Sequence, residues 1–285
     1  MLKFSSPHAT VAPVYRIRLT SLLLVEERLL EAKYFARRLA KQRDRDRFGY
    51  ELNAFLAAAR SVTFLLQKEM ARVPDFAEWW DSQRRLLSAD PAAAFFLGLR
   101  NFSQKEGRIS LVGSLLGRGR WSYRFAGNAE RVPPALMNRD VANCCHEHVA
   151  KLARIVLACA EAFPYQTCLG RALTPIGMEA LQLSLEDLEE TLGLPRGCTE
   201  VGDPLNPERR IMVLREHVDG VDFAALKRLA DWKVKPMPPP DSASSVLSEQ
   251  LLTALVRQLE EPGRRVATSD PTTELLLGGV PEDGF

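Results

Sequence analysis

The N-terminal half of the chain carries apolar residues at the three- and four-residue spacing of amphipathic helices. One such pattern runs from Leu19 to about Gln42, and a second runs from about Tyr50 to Arg72, where Pro74 ends it. The charged segment Arg43–Gly49 connects them, with Gly49 as a hinge or cap. Two long helices with a short connection predict an antiparallel helical hairpin, the usual start of a helical bundle.

The helical pattern continues with two more helices and is then interrupted by a short β-pattern. Asp75 is positioned to cap the third helix, and Asp90 followed by Pro91 is typical of a capped helix start. Beyond Gly107, apolar and polar residues alternate on either side of Gly117-Arg118-Gly119. This alternation predicts a β-hairpin with a tip rich in glycine and arginine.

The C-terminal half is predicted to be helical and less regular. A long helix is expected from about Ala135 to Phe163, and another from Thr174-Pro175 through Leu192. Asp222 can cap a further helix that ends near Trp232. We therefore expect a mainly α fold: a flexible N-terminus (1–14), a helical bundle with a β-hairpin insert (15–165), a small helical C-terminal extension (166–235), and a linker, short amphipathic helix (Val246–Leu259) and disordered tail (236–285).

Composition narrows the class of protein. The formal net charge is only +2, so nucleic-acid binding would have to depend on local basic patches. Five cysteines, an odd number with two of them adjacent, favour a reducing compartment. Neither a secretory signal nor an apolar run of membrane-spanning length is evident, so we expect a cytoplasmic protein with no membrane partner. No nucleotide-binding, zinc-protease or hydrolase motif is present, and no cofactor is predicted.

The segment Phe95–Gly107, FFLGLRNFSQKEG, carries the main candidate chemistry. An apolar helix end leads into Arg100-Asn101, and Lys105 follows after three further residues. This arrangement resembles the Arg-polar-x3-His element of HEPN-domain ribonucleases, with Lys105 in the position of the histidine. The resemblance covers residues 15–165 and implies a HEPN-like helical bundle that dimerises so that two such motifs face one cleft.

The resemblance also implies a chemistry, which Lys105 alters. In metal-independent RNA cleavage, an arginine stabilises the negative charge that develops on the phosphate, and a histidine exchanges protons with the attacking or leaving oxygen. A lysine is protonated at neutral pH, so it can hold a phosphate but abstracts protons poorly. Arg100, Asn101 and Lys105 are therefore predicted to form a degenerate ribonuclease site.

Two further pairs of residues could complete or support this site. Arg139 and His146 lie seven residues apart, which would put them on one face of a helix and make them a backup pair. Glu26 and Asn53 fall among apolar residues of the two long helices. If these helices pair, both side chains could reach toward Arg100 and support it; if the helices are rotated, both face water.

Two further clusters of residues are candidates for RNA contact and for metal binding. In the predicted hairpin, arginines are interleaved with aromatic residues, a composition suited to RNA contact; the candidate residues are Arg108, Arg118, Arg120, Trp121 and Arg124. Cys144-Cys145-His146-Glu147-His148 contains metal-ligating residue types, but one helix face supplies only two of them. A buried cysteine pair with surface histidines is therefore the favoured interpretation, and no metal site is predicted.

The leading functional hypothesis is an RNA-associated, HEPN-like protein of a microbial defence or toxin type, with a degenerate or weakened metal-independent ribonuclease site. A non-catalytic helical module that binds a protein partner or antitoxin is one alternative. An active ribonuclease that uses Arg100 with Lys105, or Arg139 with His146, is the other.

Overall fold

The structure is a computed structural model, and it describes residues 22–116, 120–126, 132–200, 206–216, 218 and 220–233. This part of the chain contains eleven helices and one antiparallel hairpin, which confirms the predicted mainly α fold with a β-hairpin insert. The elements in chain order are α1 Leu23–Leu39, α2 Arg45–Met70, α3 Phe76–Ala89, α4 Pro91–Lys105, β1 Leu111–Leu116, β2 Arg120–Phe125, α5 Val141–Ala162, α6 Pro164–Thr167, α7 Leu169–Ala172, α8 Pro175–Leu181, α9 Leu185–Thr191, α10 Pro207–Glu216 and α11 Phe223–Ala230.

The two long helices α1 and α2 pack against each other as the predicted hairpin. α2 begins earlier than its apolar pattern suggested, because the Asp44 carboxylate accepts a hydrogen bond from the Arg47 amide and caps the helix at Arg45. Gly49 consequently lies inside α2 and is neither a hinge nor a cap.

α5 is the central helix of the bundle, because it packs against α1, α2 and α11. Its residues Cys145, Val149 and Val156 are fully buried, and they meet Leu29 of α1 and Phe55 of α2 in one apolar core. Burial of each such side chain contributes about 1.5–3 kcal/mol. α5 starts at Val141 rather than Ala135, because Asp140 accepts from the Asn143 amide and caps it there.

The two shorter helices α3 and α4 begin differently. Asp90 caps α4 as predicted, since one carboxylate oxygen accepts from the amides of Ala92 and Ala93, with Pro91 in the first turn. The prediction for Asp75 is wrong. Its backbone is left-handed (φ 63°), and its side chain forms no capping hydrogen bond to α3.

The hairpin is attached to the bundle by contacts from both of its faces. Tyr123 is buried, its ring lies 4.2 Å from that of Phe48, and its hydroxyl donates to the Arg43 carbonyl oxygen at 2.6 Å. The Ser122 hydroxyl, on the opposite strand face, donates to Asp140 at the start of α5. The hairpin thereby links the α1–α2 connection to α5.

The C-terminal extension has a second, smaller apolar core formed by residues of α7 to α10. The helix expected from Thr174-Pro175 to Leu192 is divided into α8 and α9, because Gln182 adopts a left-handed conformation. α11 returns to the bundle and packs against α5.

Several predictions concern residues outside the described ranges: the N-terminal segment 1–14, the 236–285 linker and tail, and the Val246–Leu259 helix. Among the described helices, none is both long enough and apolar enough to cross a membrane.

Candidate nucleic-acid interface

α4 directs the residues of the predicted motif into two different cavities. Arg100 lines a groove of about 610 Å³, whereas Lys105 lines a second cavity of about 620 Å³ between α4 and the hairpin, and Asn101 borders both. The reason is that α4 continues through Lys105, and five residues correspond to a rotation of roughly 140° about the helix axis. Within this chain, Arg100 and Lys105 therefore do not face one cleft.

The groove that contains Arg100 is hereafter the arginine groove. Its walls come from α2, α3 and α4, and His148 and Leu152 of α5 contribute to its floor. Three arginines line it, Arg60, Arg84 and Arg100, one from each wall helix, and no Asp or Glu is among its lining residues in the described part of the chain. Such a surface attracts anions.

The three guanidinium groups retain donors for a ligand. Arg60 Nη1 donates to Thr63 Oγ1 at 3.0 Å, and Arg84 forms an exposed ion pair with Asp81 at 3.1 Å. Arg100 Nη1 donates to Asn101 Oδ1 at 3.3 Å. The Arg100 Nε atom is enclosed and has no hydrogen-bond partner among the described residues. Because a guanidinium has five N–H donors, each arginine keeps several that are not used by these bonds.

His148 of α5 lies at the floor of the arginine groove and is partly exposed there. Its ring stacks on Phe96 with centroids 4.5 Å apart, and the Phe55 ring lies 6.3 Å away. Its Nδ1 atom is enclosed, with no partner in the described chain. Burial, and then the charge of Lys151, lower the pKa of His148 to about 4, so the imidazole is neutral at pH 7.

This arrangement combines fixed positive charge with one neutral imidazole. Guanidinium groups bind phosphate oxygens through charge-assisted hydrogen bonds, often two at a time. A neutral imidazole can accept a proton. The groove therefore has the groups required to hold a phosphate, together with a nearby group that can change its protonation state.

The predicted backup pair is not formed. Arg139 lies before the start of α5, so it and His146 do not share a helix face. Arg139 forms an ion pair with Glu147, which raises its pKa. His146 packs against Trp232, with ring centroids 4.3 Å apart, and burial together with the charge of Arg37 lowers its pKa to about 4.

The predicted supporting residues lie away from Arg100. Glu26 is buried, but its Oε1 atom accepts from the Asp222 amide at 3.1 Å, so it anchors the start of α11 instead. Burial raises the pKa of this carboxyl group. Asn53 is exposed on α2 and is not among the residues that line the groove.

The hairpin residues do not form one basic and aromatic surface. Trp121 is exposed and stacks on Tyr123, whereas Arg124 points to the other strand face, since alternate residues of a strand face opposite ways. Arg124 donates to Ser114 at 3.1 Å, and Arg108 pairs with Asp46. Arg118 and the side chain of Arg120 lie outside the described part of the structure.

The cysteine- and histidine-rich start of α5 combines buried cysteines with half-buried histidines. Cys144 and Cys145 are enclosed as expected, and burial raises the pKa of Cys144 to about 12, which leaves it a protonated thiol. His146 and His148, expected at the surface, are half-buried, and both pack against aromatic rings. In the described ranges, no three His, Cys, Asp or Glu side chains come together as metal ligands.

Sequence reasoning missed three residues of the arginine groove: Arg60, Arg84 and His148. The sequence does contain a pattern that points to Arg60. Arg60, Thr63 and Gln67 recur at helical spacing along α2 and form a polar stripe beside its apolar face. Nothing local marks Arg84 or His148, since their proximity to Arg100 depends on how four helices pack.

Comparison with known proteins gives one partial match. The family model described as bacteriophage lambda protein ea47 matches residues 20–145, a region that includes α1 to α4, the hairpin and the first turn of α5. No curated protein matches the chain. No solved structure matches it either. The matched region contains all three arginines of the groove and ends just before His148.

Proposed function

We propose that the protein is an RNA-associated, HEPN-like helical protein that holds RNA phosphates in the arginine groove. The observation that carries this proposal is the convergence of Arg60, Arg84 and Arg100 from three helices on one groove without a lining carboxylate. The HEPN-like assignment, the dimer and the setting in microbial defence or toxin systems come from the resemblance of the Arg100 segment.

Phosphate recognition is favoured over recognition of a small carboxylate by the size and charge of the groove. Its volume of about 610 Å³ and its three separate guanidinium groups suit a ligand that presents several anionic groups. A nucleic-acid strand presents one phosphate per nucleotide, and each phosphate neutralised by an arginine releases counterions, which makes binding dependent on salt.

The test is equilibrium binding of a fluorescein-labelled single-stranded RNA at several salt concentrations. We expect Arg84→Gln and Arg100→Gln each to weaken binding by about three- to tenfold and to reduce the slope of log affinity against log salt by about 0.7. Arg85→Gln is the matched control, because Arg85 is the exposed neighbour of Arg84 on α3 but does not line the groove.

Three outcomes would contradict the proposal. Equal effects of Arg84→Gln and Arg85→Gln would indicate a diffuse charge effect. Loss of binding only in a hairpin variant such as Arg124→Gln would place RNA on the hairpin. Wild-type protein that does not bind RNA would favour the alternative of a protein-interaction module.

RNA cleavage is the second candidate function, and the observation that favours it is the position of His148 at the floor of the arginine groove. The same RNA incubated in EDTA tests it. Cleavage lost in both Arg100→Gln and His148→Gln, but kept in Lys105→Ala, would identify a metal-independent ribonuclease that uses the groove rather than the linear motif.

A further inference from the structure

Two residues that line the arginine groove each have an enclosed polar atom without a hydrogen-bond partner in the described chain: Arg100 at Nε and His148 at Nδ1. An enclosed polar atom without a partner is unfavourable, so both atoms favour a ligand or a change of protonation state that satisfies them. Arg100 Nε can only donate a hydrogen bond. An oxyanion, whose oxygens accept hydrogen bonds, is therefore the complementary ligand.

The hydrogen-bonding groups of His148 depend on its protonation state. A neutral imidazole has one N–H donor and one acceptor nitrogen, whereas the protonated ring has two donors. A phosphodiester offers acceptors only, so one nitrogen of a neutral His148 would present a lone pair to its surroundings instead of a donor. A phosphate in the groove thus favours the protonated ring through hydrogen bonding as well as through charge.

Burial, and then the positive charge of Lys151, keep His148 neutral at pH 7. The charged groups that line the groove with it are Arg60 on α2, Arg84 on α3 and Arg100 on α4. Lys151 on α5 and Asp90, which caps α4, are the charged groups that act on its pKa. Asp90 is paired with Lys151. Arg84 is paired with Asp81, and the net charge of these groups is positive, so a bound phosphate would offset it.

We propose that His148 takes up a proton when an RNA phosphate enters the arginine groove, so that the groove binds RNA more tightly in mildly acidic solution. This inference rests on the proposed RNA binding. With an effective dielectric constant of about 20 and a separation of about 5 Å between imidazolium and phosphate, affinity should rise by about tenfold between pH 8 and pH 5.5.

The experiment measures binding of a labelled oligouridylate at pH 8 and pH 5.5 at constant ionic strength, because neither uracil nor a phosphodiester titrates in this range. Circular dichroism at both pH values verifies the fold. The variants are His148→Phe and His148→Gln, and His146→Phe is the matched control. His146 is also a half-buried histidine of α5 with a pKa of about 4, but it lies against Trp232 and not in the groove.

We expect the wild type and His146→Phe to bind about tenfold more tightly at pH 5.5, and both His148 variants to show little change. Calorimetry of the wild type in buffers of different ionisation enthalpy should show net proton uptake at pH 6 without any mutation. RNA binding without proton uptake, or an unchanged pH dependence in the His148 variants, would overturn the inference and leave RNA binding intact. Absence of binding at both pH values would overturn the proposed function and this inference together.

Discussion

The two half-buried histidines of α5 should make the protein less stable in mildly acidic solution. His146 packs on Trp232 and His148 stacks on Phe96, and each has its pKa lowered to about 4, mainly by burial. In the unfolded chain a histidine has a pKa of about 6.5. Between these values the unfolded chain binds more protons than the folded one, so stability is greatest above pH 6.5 and declines as the pH falls.

The size of the effect follows from the two pKa values. At pH 5.5 an unfolded histidine is mostly protonated and a folded one with a pKa near 4 is not, which costs about 1.4 kcal/mol per histidine. His146 and His148 together should therefore remove about 3 kcal/mol of the unfolding free energy between pH 8 and pH 5.5. This is a large fraction of the 5–15 kcal/mol typical of a folded domain.

Urea denaturation at pH 8 and pH 5.5 measures this loss directly. The double variant His146→Phe/His148→Phe keeps an aromatic ring at both sites and should lose little stability over the same range. Acidic groups with lowered pKa values, such as Asp90 and Glu189, contribute mainly at lower pH. A double variant with the same loss as the wild type would refute the reasoning, because the acid sensitivity would then arise elsewhere.

Three further predictions test the structural framework. Glu189→Leu should lower the unfolding free energy by about 3–5 kcal/mol, because fully buried Glu189 pairs with Arg210. The same variant should show faster amide hydrogen exchange in α9 and α10. Asp140→Ala should cost about 1–2 kcal/mol in thermal denaturation, since it removes the cap of α5 and the bond from Ser122, whereas Asp140→Asn should retain much of the cap. Glu26→Ala should increase hydrogen exchange at the start of α11 more than in α2, because Glu26 accepts from the Asp222 amide.

Features governed by neighbouring residues could be predicted from the sequence. Asp90 followed by Pro91 marked the start of α4, and Asp222 marked that of α11, because a cap uses amides only two or three residues away. The alternation around Gly117 predicted the hairpin for the same reason. Asp75, predicted on the same local ground, forms no capping hydrogen bond to α3, so such signals do not decide every helix start.

The composition of the candidate site could not be predicted in this way. The motif suggested that Arg100 and Lys105 act together, but α4 continues through both and turns them toward different cavities. Arg60, Arg84 and His148 are distant from Arg100 in sequence and meet it only because α2, α3, α4 and α5 pack around one groove. Lateral packing of helices depends on the whole apolar core, which no short sequence pattern encodes.

The buried contacts of the histidines illustrate the same limit. Within the helix, His146 and His148 follow two buried cysteines, and their residue types suggested a surface position. The structure instead covers His146 with Trp232, a residue just beyond α11, and stacks His148 on Phe96 of α4. Both partners come from distant parts of the chain.

The most direct test of the account is to crosslink RNA to the protein and identify the crosslinked peptides. An oligouridylate containing 4-thiouridine is irradiated with the full-length chain, and the digested product is analysed by mass spectrometry. If RNA lies in the arginine groove, crosslinks should fall in peptides of α2, α3 and α4 around Arg60, Arg84 and Arg100. These crosslinks should be lost in Arg100→Gln. Crosslinks concentrated in the hairpin around Trp121, or the same pattern in Arg100→Gln, would contradict the assignment of RNA to the arginine groove.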